Sequence, residues 1–553
     1  MHSDFLQILL EKRGLKNKEE VDIFLNPSYE RDVLDPFLMR DMRKSCVRLF
    51  SAIENNEKIV IYADYDCDGI PGAVILSDLF KKINYLNFEV YIPERNSEGY
   101  GLNIEAIEGF KNDDIKLIIT IDLGITAIEE VALANSYGID VIITDHHIPQ
   151  AILPKAYAIL NPKVDEYPEK MLCGSGVVFK FVQGFLKKYG EKYKVNIGWE
   201  KWLLDMAGLA TLSDMVPLRG ENRAIAYYGM KVLHKSRRPG LQQLLKIMKI
   251  DQKTLSTADV TFMITPRINA ASRMDTPMRA FELLATPDEV EGEALAIHLS
   301  KINDERKNIV LHIMKEVKKH FEKREGLKDL PVVVIGNPTW KVGVLGIVAG
   351  KIAEEYDKVV FVWGKDDNDI IKGSCRAKES ISIVELMHNA KDYFKEYGGH
   401  ELAGGFSVEN DKIHFLEEVL NQSYKEIKVF NKKESKYINY DMKLTLGDVN
   451  IKNWRELDKM EPFGLENPIP IFLFENVKIE KVKNFGKTGS GEHLEITFSD
   501  NTKKNMIAIS FFSDENSFSR KIIDGVIVNL LATFDLSRFR GREELRLRIV
   551  DIF

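Results

Sequence analysis

Asp64-Tyr65-Asp66-Cys67-Asp68-Gly69 follows directly on the apolar run Lys58 to Ala63, and Asp145-His146-His147 follows in the same way on Val141 to Thr144. A third run, Leu117 to Ile121, leads straight into Asp122. Carboxylates and imidazoles are thus delivered from the ends of three segments that read as parallel strands. Mutual repulsion forbids such a cluster of acids unless cations lie among them. The chemistry this points to is metal-assisted hydrolysis.

An acidic Asp-x-Asp-x-Asp-Gly segment also opens the calcium loop of an EF-hand, which needs a bidentate Glu at the twelfth position and a helix in front. Here the twelfth residue is Ile75 and a strand-like run precedes the motif, so the calcium loop is excluded. A pair of histidines is usually a solvated surface turn. Position argues otherwise here: a carboxylate beside a histidine, next to two other acidic strand ends, can share a divalent metal and fix the imidazole tautomer. Asp214, in Thr211-Leu212-Ser213-Asp214-Met215, reads by itself as a helix-terminal or turn aspartate.

The elements that must hold these residues are legible as a rhythm. Short apolar runs at 58–63, 88–92, 117–121, 141–144 and 156–160 alternate with helix-patterned stretches, which predicts a doubly wound parallel sheet. Ligands of such sheets bind beyond the carboxyl ends of the strands, where Asp64, Asp122 and Asp145 fall. Residues 165–290 read as helical, with breaks at Pro217, Pro239 and Pro266. A long helix follows from about 290 to 325, where Leu295, Leu299, Ile302, Ile309, Ile313, Val317 and Phe321 keep an apolar stripe. It reads as a connector between lobes.

After Gly326 the strand-like Val332 to Ile335 and Val359 to Val362 flank a glycine-rich helix start, which predicts a smaller α/β domain ending near residue 425. Its site-like segments are Gly373-Ser374-Cys375-Arg376 and Gly398-Gly399-His400. The lysine-rich 425–436 stretch reads as a linker. Beyond it, short alternating runs such as Leu494 to Phe498 and Leu545 to Ile549 predict a small β-barrel, an architecture common among single-strand binders.

Composition sets the outer bounds. A chain of 553 residues exceeds what a single core usually holds, and about three or four domains are expected. Hydrophobic residues at 44% and charged residues at 29% are ordinary for a globular protein, and no apolar run is long enough to span a membrane as a helix. No signal peptide is evident at Met1-His2-Ser3-Asp4-Phe5, so a cytoplasmic location is the expectation. Four scattered cysteines without a CxxC pair argue against a zinc knuckle or a disulfide framework. A net charge of -7 carries no global nucleic-acid footprint. Residues 431–553, with 20 Lys+Arg against 19 Asp+Glu, are the less acidic part.

Taken in order, the motifs resemble the DHH phosphoesterase superfamily and, within it, single-strand-specific exonucleases of the RecJ type. The resemblance rests on the acidic turns and on Leu34-Asp35-Pro36-Phe37-Leu38, on Pro93 and Arg95 before Glu98-Gly99-Tyr100-Gly101-Leu102, and on Cys173-Gly174-Ser175-Gly176-Val177. It continues through Pro217 to Arg223, Pro266 to Arg273 and Gly398-Gly399-His400-Glu401-Leu402-Ala403-Gly404-Gly405, so it spans nearly the whole chain. Two positions depart from the pattern: Leu123 stands where relatives often have Asn or Cys, and Ser272 replaces a common Gly. Neither removes a ligand.

The resemblance implies an α/β protein with a doubly wound parallel-sheet DHH domain (1–290, including an N-terminal extension and a helical part) and a long connector helix (291–326). A smaller α/β DHHA1-type domain (327–425) and a C-terminal OB-like β-barrel that binds nucleic acid (430–553) complete it. Asp66, Asp68, Asp122, His146 and Asp214 would hold two divalent ions, with Asp64, Asp145 and His147 close by as ligands or supports. Asp64 is counted among the metal residues; Asp145 and His147 are the catalytic candidates. Oxygen and imidazole donors without thiolate favour Mn2+ or Mg2+, and Cys67 is not a ligand. Two-metal phosphodiester hydrolysis follows, with no covalent intermediate.

Arg95, Arg267, Asn269, Arg273, Ser374, Arg376, Gly398, Gly399 and His400 are the candidates for gripping substrate, because guanidinium forks and glycine-exposed amides suit oxyanions. In the barrel, Phe485, Phe511, Phe512 and Phe539 could stack bases, although most of them read as core; Arg538, Arg540 and Arg542 are the better candidates there. The expected function is single-strand-specific DNA exonuclease activity, and the resemblance alone implies its 5'-to-3' polarity and its role in repair and recombination. The expected partners are single-stranded DNA and a single-strand-binding protein or a helicase, with no membrane, and the protein itself is expected to be a monomer. The competing readings are a short-oligonucleotide or cyclic-dinucleotide phosphodiesterase, against which the added β module argues, and a non-catalytic strand-binding replication protein, against which the intact acids argue.

Overall fold

The computed structural model describes residues 3–553 except 96, 165, 325, 327–328, 367, 379–380, 428–438, 486–492, 502–504, 512, 514–516 and 538–542. Two compact units emerge: Asp35–Asp214 with Gly229–Glu434, and Met1–Leu34 with Met215–Tyr228 and Ser435–Phe553.

In the larger unit, β1 (Lys58–Ala63), β2 (Phe88–Tyr91), β3 (Ile115–Ile121), β4 (Asp140–Thr144) and β5 (Ala158–Leu160) form an all-parallel sheet in the order 2-1-3-4-5. Residues of one parity, among them Val60, Tyr62, Ile118, Val141 and Ile143, pack into a core with Ile107, Phe110, Val131 and Ala134 from the helices Ile104–Asn112 and Ile128–Ser136. The other face is covered by Gly69–Lys82 and Gly174–Tyr189. Burial on both faces is why these strands are continuous apolar runs. The strand order reverses between β1 and β3, the switch point where doubly wound sheets open a ligand crevice.

The predicted breaks are helix starts or gaps. Pro239 begins the helix Pro239–Met248, and Pro266 sits in the first turn of Thr265–Met274, which follows a π-helical turn at Val260–Ile264. The connector is one helix of 35 residues, Glu289–Lys323, capped by the Asp288 carboxylate accepting from the Glu291 N–H. It leads to a second sheet of β6 (Val332–Gly336), β7 (Val359–Lys365), β8 (Ile371–Arg376), β9 (Glu396–His400) and β10 (Ala403–Val408), in the order 6-7-8-10-9. Only β6 and β7 are parallel; the rest is antiparallel.

In the smaller unit, β11 (Met442–Lys443) leads to β12 (Phe472–Phe485), β13 (His493–Ser499), β14 (Asn505–Ser510), β15 (Ile527–Ser537) and β16 (Glu544–Ile552). Pairing of β12 with β15 closes the last five strands into a barrel. The helix Asp4–Lys12 contributes Leu6, Leu9 and Leu10 to its core, and the Phe5 ring stacks 5.8 Å from Phe472. The N-terminal extension, assigned from sequence to the first domain, therefore packs with the barrel. Its apolar helix face is needed to cover that core. No described helix is long and apolar enough to cross a membrane.

Candidate metal centre

Register brings three acids level. Ala63 pairs with Ile121, Ile121 with Thr144, and Thr144 with Leu160, so the next residues of β1, β3 and β4 are Asp64, Asp122 and Asp145 in one row. The ladder extends through them: the Asp64 N–H donates to Ile121 O at 3.1 Å, the Asp122 N–H to Thr144 O at 2.9 Å and the Asp145 N–H to Leu160 O at 3.0 Å. Asp122 has φ of 62°, a left-handed conformation that aspartate tolerates better than most residues. Gly174 lets the next helix approach this point, since a Cβ there would lie 2.5 Å from Asp122 Cβ.

The loop after β1 adds Asp66 and Asp68. Asp66 Oδ1 accepts from the Asp68 N–H at 2.7 Å, and the two Asp68 oxygens accept from the N–H groups of Gly174 (2.6 Å) and Ser175 (2.7 Å) at a helix N-terminus. Asp214 arrives at the end of the helix Leu204–Ser213. His146 stands among them, with Nε2 3.1 Å from Asp122 Oδ1 and 3.8 Å from Asp68 Oδ2, and Nδ1 3.8 Å from Asp214 Oδ2. Among the described residues, three sets of ligand atoms lie close enough to hold an ion: Asp64, Asp66 and Asp122; Asp68, His146 and Asp214; and Asp122, His146 and His147.

These residues fit divalent cations. Asp64 Oδ1 and Asp122 Oδ1 are buried without a hydrogen-bond partner among the described residues, a costly state for a carboxylate lacking a countercharge. Burial and then the neighbouring aspartates hold Asp64, Asp66 and Asp122 above the ordinary carboxylate range, and the same causes push Asp214 up to about 9. Hard cations remove that penalty.

Asp145 differs. Its Oδ1 accepts from the His146 N–H (2.7 Å) and His147 N–H (3.0 Å) and faces His147 Nδ1 at 2.8 Å, while Oδ2 accepts from the Ile125 N–H at 2.9 Å. Burial alone would raise this carboxyl, but the His147 ring and the backbone donors outweigh it and hold it below its usual value. Asp145 is thus a fully bonded support for His147. The Tyr100 hydroxyl donates to Asp122 O at 3.0 Å and lies 3.3 Å from His147 Nδ1; Asn161 Nδ2 donates to His147 O at 3.0 Å, and Lys163 Nζ donates to His146 O. Tyr100 is in a segment the sequence marked only for its resemblance, and Asn161 and Lys163 carried no signal.

The substrate candidates scatter. The Arg95 guanidinium covers the Tyr65 ring at 4.9 Å, and Arg273 Nη1 donates to Gly343 O at 3.0 Å, at the start of the helix Val342–Tyr356. A Cβ on Gly346 of that helix would lie 3.2 Å from Arg376 Nη2 and 3.5 Å from Ser374 Oγ, so its glycine leaves room beside both. Asn269 Oδ1 instead accepts the Cys67 N–H at 2.8 Å, inside the acidic loop. Gly398, Gly399 and His400 lie exposed on β9, an edge strand. The Cys67 sulfur is engaged elsewhere: Ser213 Oγ donates to it at 3.3 Å, and burial pushes the thiol up to about 12.

Three family models match: the DHH family N-terminal domain over 58–211, the DHHA1 domain over 329–428 and the RecJ OB domain over 440–551. The single-stranded-DNA-specific exonuclease RecJ of Bacillus subtilis is 32% identical over 549 residues, covering 98% of this chain and 67% of that protein. The chain belongs to the RecJ family. The RecJ of Haemophilus influenzae is 30% identical over 430 residues, covering 76% of this chain and 74% of its own. Among solved structures, RecJ from Thermus thermophilus in complex with Mn2+ superposes with a TM-score of 0.79 at 24% identity, covering 99% of this chain and 76% of that one. An exonuclease RecJ bound to manganese gives 0.64 at 27% identity, covering 72% and 97%. The RecJ fold thus accounts for both sheets and the barrel.

In that barrel, Phe485 and Phe511 correct the sequence reading of core phenylalanines. Both are partly exposed, on either side of His493, with ring centroids 5.3 and 5.4 Å from it, and the Arg548 guanidinium lies 5.0 Å from the Phe511 ring. Phe512, Arg538, Phe539, Arg540 and Arg542 lie outside the described residues.

Proposed function

We propose that this chain is a metal-dependent exonuclease that hydrolyses single-stranded DNA from the 5' end, in repair and recombination. The observation that carries the reading is the row Asp64, Asp122 and Asp145 at the sheet's switch point, with Asp66, Asp68, His146 and Asp214 gathered against it. The RecJ of Bacillus subtilis, named a single-stranded-DNA-specific exonuclease, covers 98% of the chain at 32% identity.

In this reading Asp64, Asp66, Asp68, Asp122, His146 and Asp214 hold two divalent ions, Mn2+ or Mg2+. Bound there, such ions supply Lewis-acid polarisation and neutralise charge on a phosphodiester. Asp145 holds the His147 ring through Nδ1, which leaves Nε2 as the ring atom able to ligate or to move a proton. Arg95, Arg273, Ser374 and Arg376 orient phosphate oxygens, with Arg267 behind them and Gly398, Gly399 and His400 on the neighbouring edge strand; Asn269 serves by shaping the acidic loop. Within residues 1–290, 35–214 and 229–290 supply the hydrolytic centre and the N-terminal extension supports the barrel; 291–326 is the connector, 327–425 the DHHA1-type domain and 430–553 the strand-binding barrel, where Phe485, Phe511 and Arg548 offer stacking faces and charge. The protein works as a cytoplasmic monomer, alongside a single-strand-binding protein or helicase.

Digestion of end-labelled single-stranded DNA, duplex DNA and RNA in parallel, with and without Mn2+, tests the reading. Manganese-dependent loss of single-stranded DNA alone, beginning at its 5' end, is the expected result. Equal digestion of duplex, or no digestion with metal, overturns it.

A further inference from the structure

His146 and His147 share one turn, but among the described residues their imidazoles are supported differently. The His147 ring is held through Nδ1 by Asp145 Oδ1 at 2.8 Å. Both ring nitrogens of His146 face other members of the ligand set: Nε2 lies 3.1 Å from Asp122 Oδ1 and 3.8 Å from Asp68 Oδ2, and Nδ1 lies 3.8 Å from Asp214 Oδ2. A ligating histidine is ordinarily aimed by a hydrogen bond at its other ring nitrogen. With both nitrogens turned to ligands, the direction of the His146 ring has to come from its main chain. That main chain is pinned on both sides. The His146 N–H donates to Asp145 Oδ1 at 2.7 Å, and Lys163 Nζ donates to the His146 carbonyl.

Lys163 is itself seated by the turn that follows β5. Leu160 O accepts the Asp145 N–H at 3.0 Å, so the end of β5 lies level with the start of the histidine turn. Asn161, 0% exposed, donates Nδ2 to His147 O at 3.0 Å and accepts the Lys163 N–H on Oδ1 at 2.9 Å. The Val164 N–H closes the turn on Asn161 O at 3.1 Å. An Asn side chain that accepts the N–H two residues on makes an Asx-turn, and Pro162 fixes φ inside it. One rigid turn thus reaches the carbonyls of both histidines, through Asn161 to His147 and through the half-buried Lys163 to His146.

We propose that Lys163 is a positioning residue of the metal centre: by holding the His146 carbonyl it fixes the direction in which the His146 imidazole meets an ion shared with Asp68 and Asp214. The proposal rests on the two-metal exonuclease reading and deepens it. Lys163 acts through His146 and not on the strand. The set Asp64, Asp66 and Asp122 contains no histidine, so an ion held there is indifferent to Lys163.

Isothermal titration of the full-length chain with Mn2+ tests this, beside digestion of labelled oligothymidylate at saturating Mn2+. Lys163→Met keeps the apolar stem and removes the donor. One of the two Mn2+ ions is expected to bind about tenfold more weakly while the other keeps its affinity, and kcat is expected to fall with KM for the strand unchanged. Lys163→Arg, which restores a donor, should recover both. In a His146→Ala background the Mn2+ binding that remains should not change when Lys163→Met is added, because a residue that acts through His146 then has nothing left to aim. Further loss in that double variant, equal weakening of both ions with a lower melting temperature, or a Lys163→Arg protein as impaired as Lys163→Met gives Lys163 a general structural role and overturns the proposal. A raised KM at constant kcat assigns Lys163 to the strand and overturns it as well. Unaltered Mn2+ binding in Lys163→Met sinks this proposal alone, whereas a wild type that binds no Mn2+ or digests no strand sinks the exonuclease reading with it.

Discussion

Asn269 Oδ1 accepts the Cys67 N–H at 2.8 Å, tying the helix Thr265–Met274 to the middle of the acidic loop. A second tie runs beside it, where Ser213 Oγ lies 2.6 Å from Thr265 Oγ1 and donates to Cys67 Sγ at 3.3 Å. Asp66 and Asp68 are the neighbours of Cys67, and Asp214 is the neighbour of Ser213. One helix therefore holds both ends of the ligand set in place while carrying Arg273.

Asn269→Ala leaves the Cys67 N–H without its acceptor, a loss of about 1–3 kcal/mol if the group stays buried. Because the loop can relax, the expected result is weaker Mn2+ binding, by roughly tenfold, with the overall fold kept. Isothermal titration with Mn2+ measures it. Wild-type metal affinity in the variant would assign Asn269 to substrate alone.

Asp122 is held above the ordinary carboxylate range by burial and by Asp68, Asp66 and Asp64, so in the metal-free protein its charge opposes folding. Asp122→Asn is expected to raise the metal-free melting temperature, remove most of the Mn2+-induced stabilisation and abolish strand digestion. A carboxyl with a raised folded pKa binds more protons folded than unfolded, so stability falls as pH rises from its unfolded value of 3.8 through its folded one. Metal-free wild type should therefore lose stability over that window more steeply than Asp122→Asn. Thermal melts at several pH values read both effects; parallel curves for the two proteins would contradict the account.

For His147, burial lowers the imidazole pKa, but the Asp145 carboxylate outweighs it and raises the ring above its ordinary value. Asp145→Asn removes that charge, so the ring pKa should fall below the wild-type value, visible in its NMR titration, and strand digestion should drop about 10²–10⁴-fold. An unchanged rate would remove His147 and its support from the mechanism.

Phe511 stands beside His493 and under Arg548 on the barrel surface. Phe511→Ala is expected to cost about 1–3 kcal/mol of affinity for a long single strand, the usual worth of one base stacked on an aromatic ring. Anisotropy with a long and a dinucleotide substrate separates the cases: only the long strand should suffer. A uniform loss would indicate a damaged barrel.

The five parallel strands were readable within a residue or two, because burial on both faces demands uninterrupted apolar runs and the acids mark where each run stops. The connector was readable from its stripe. The antiparallel half of the second sheet was not: glycine-rich strands such as Glu396–His400 carry little alternation, since their pairing is made by backbone and not by side chains. The helix Asp4–Lys12 displayed its apolar face, but nothing local says which core that face covers.

Residue type and order by themselves determined that acids end three of the strands, with imidazoles after the last of these, and with that the metal chemistry, since the donor atoms are written in the chain. Which carboxylates stay open to an ion and which are consumed was decided only by folding. Asp64, Asp122 and Asp145 are alike in sequence, and register sets them side by side, but a backbone N–H and a histidine ring reach Asp145 while one oxygen of each of the other two is left buried without a hydrogen bond from the described residues. That difference depends on chain segments passing at each strand end, and no local pattern encodes such proximity.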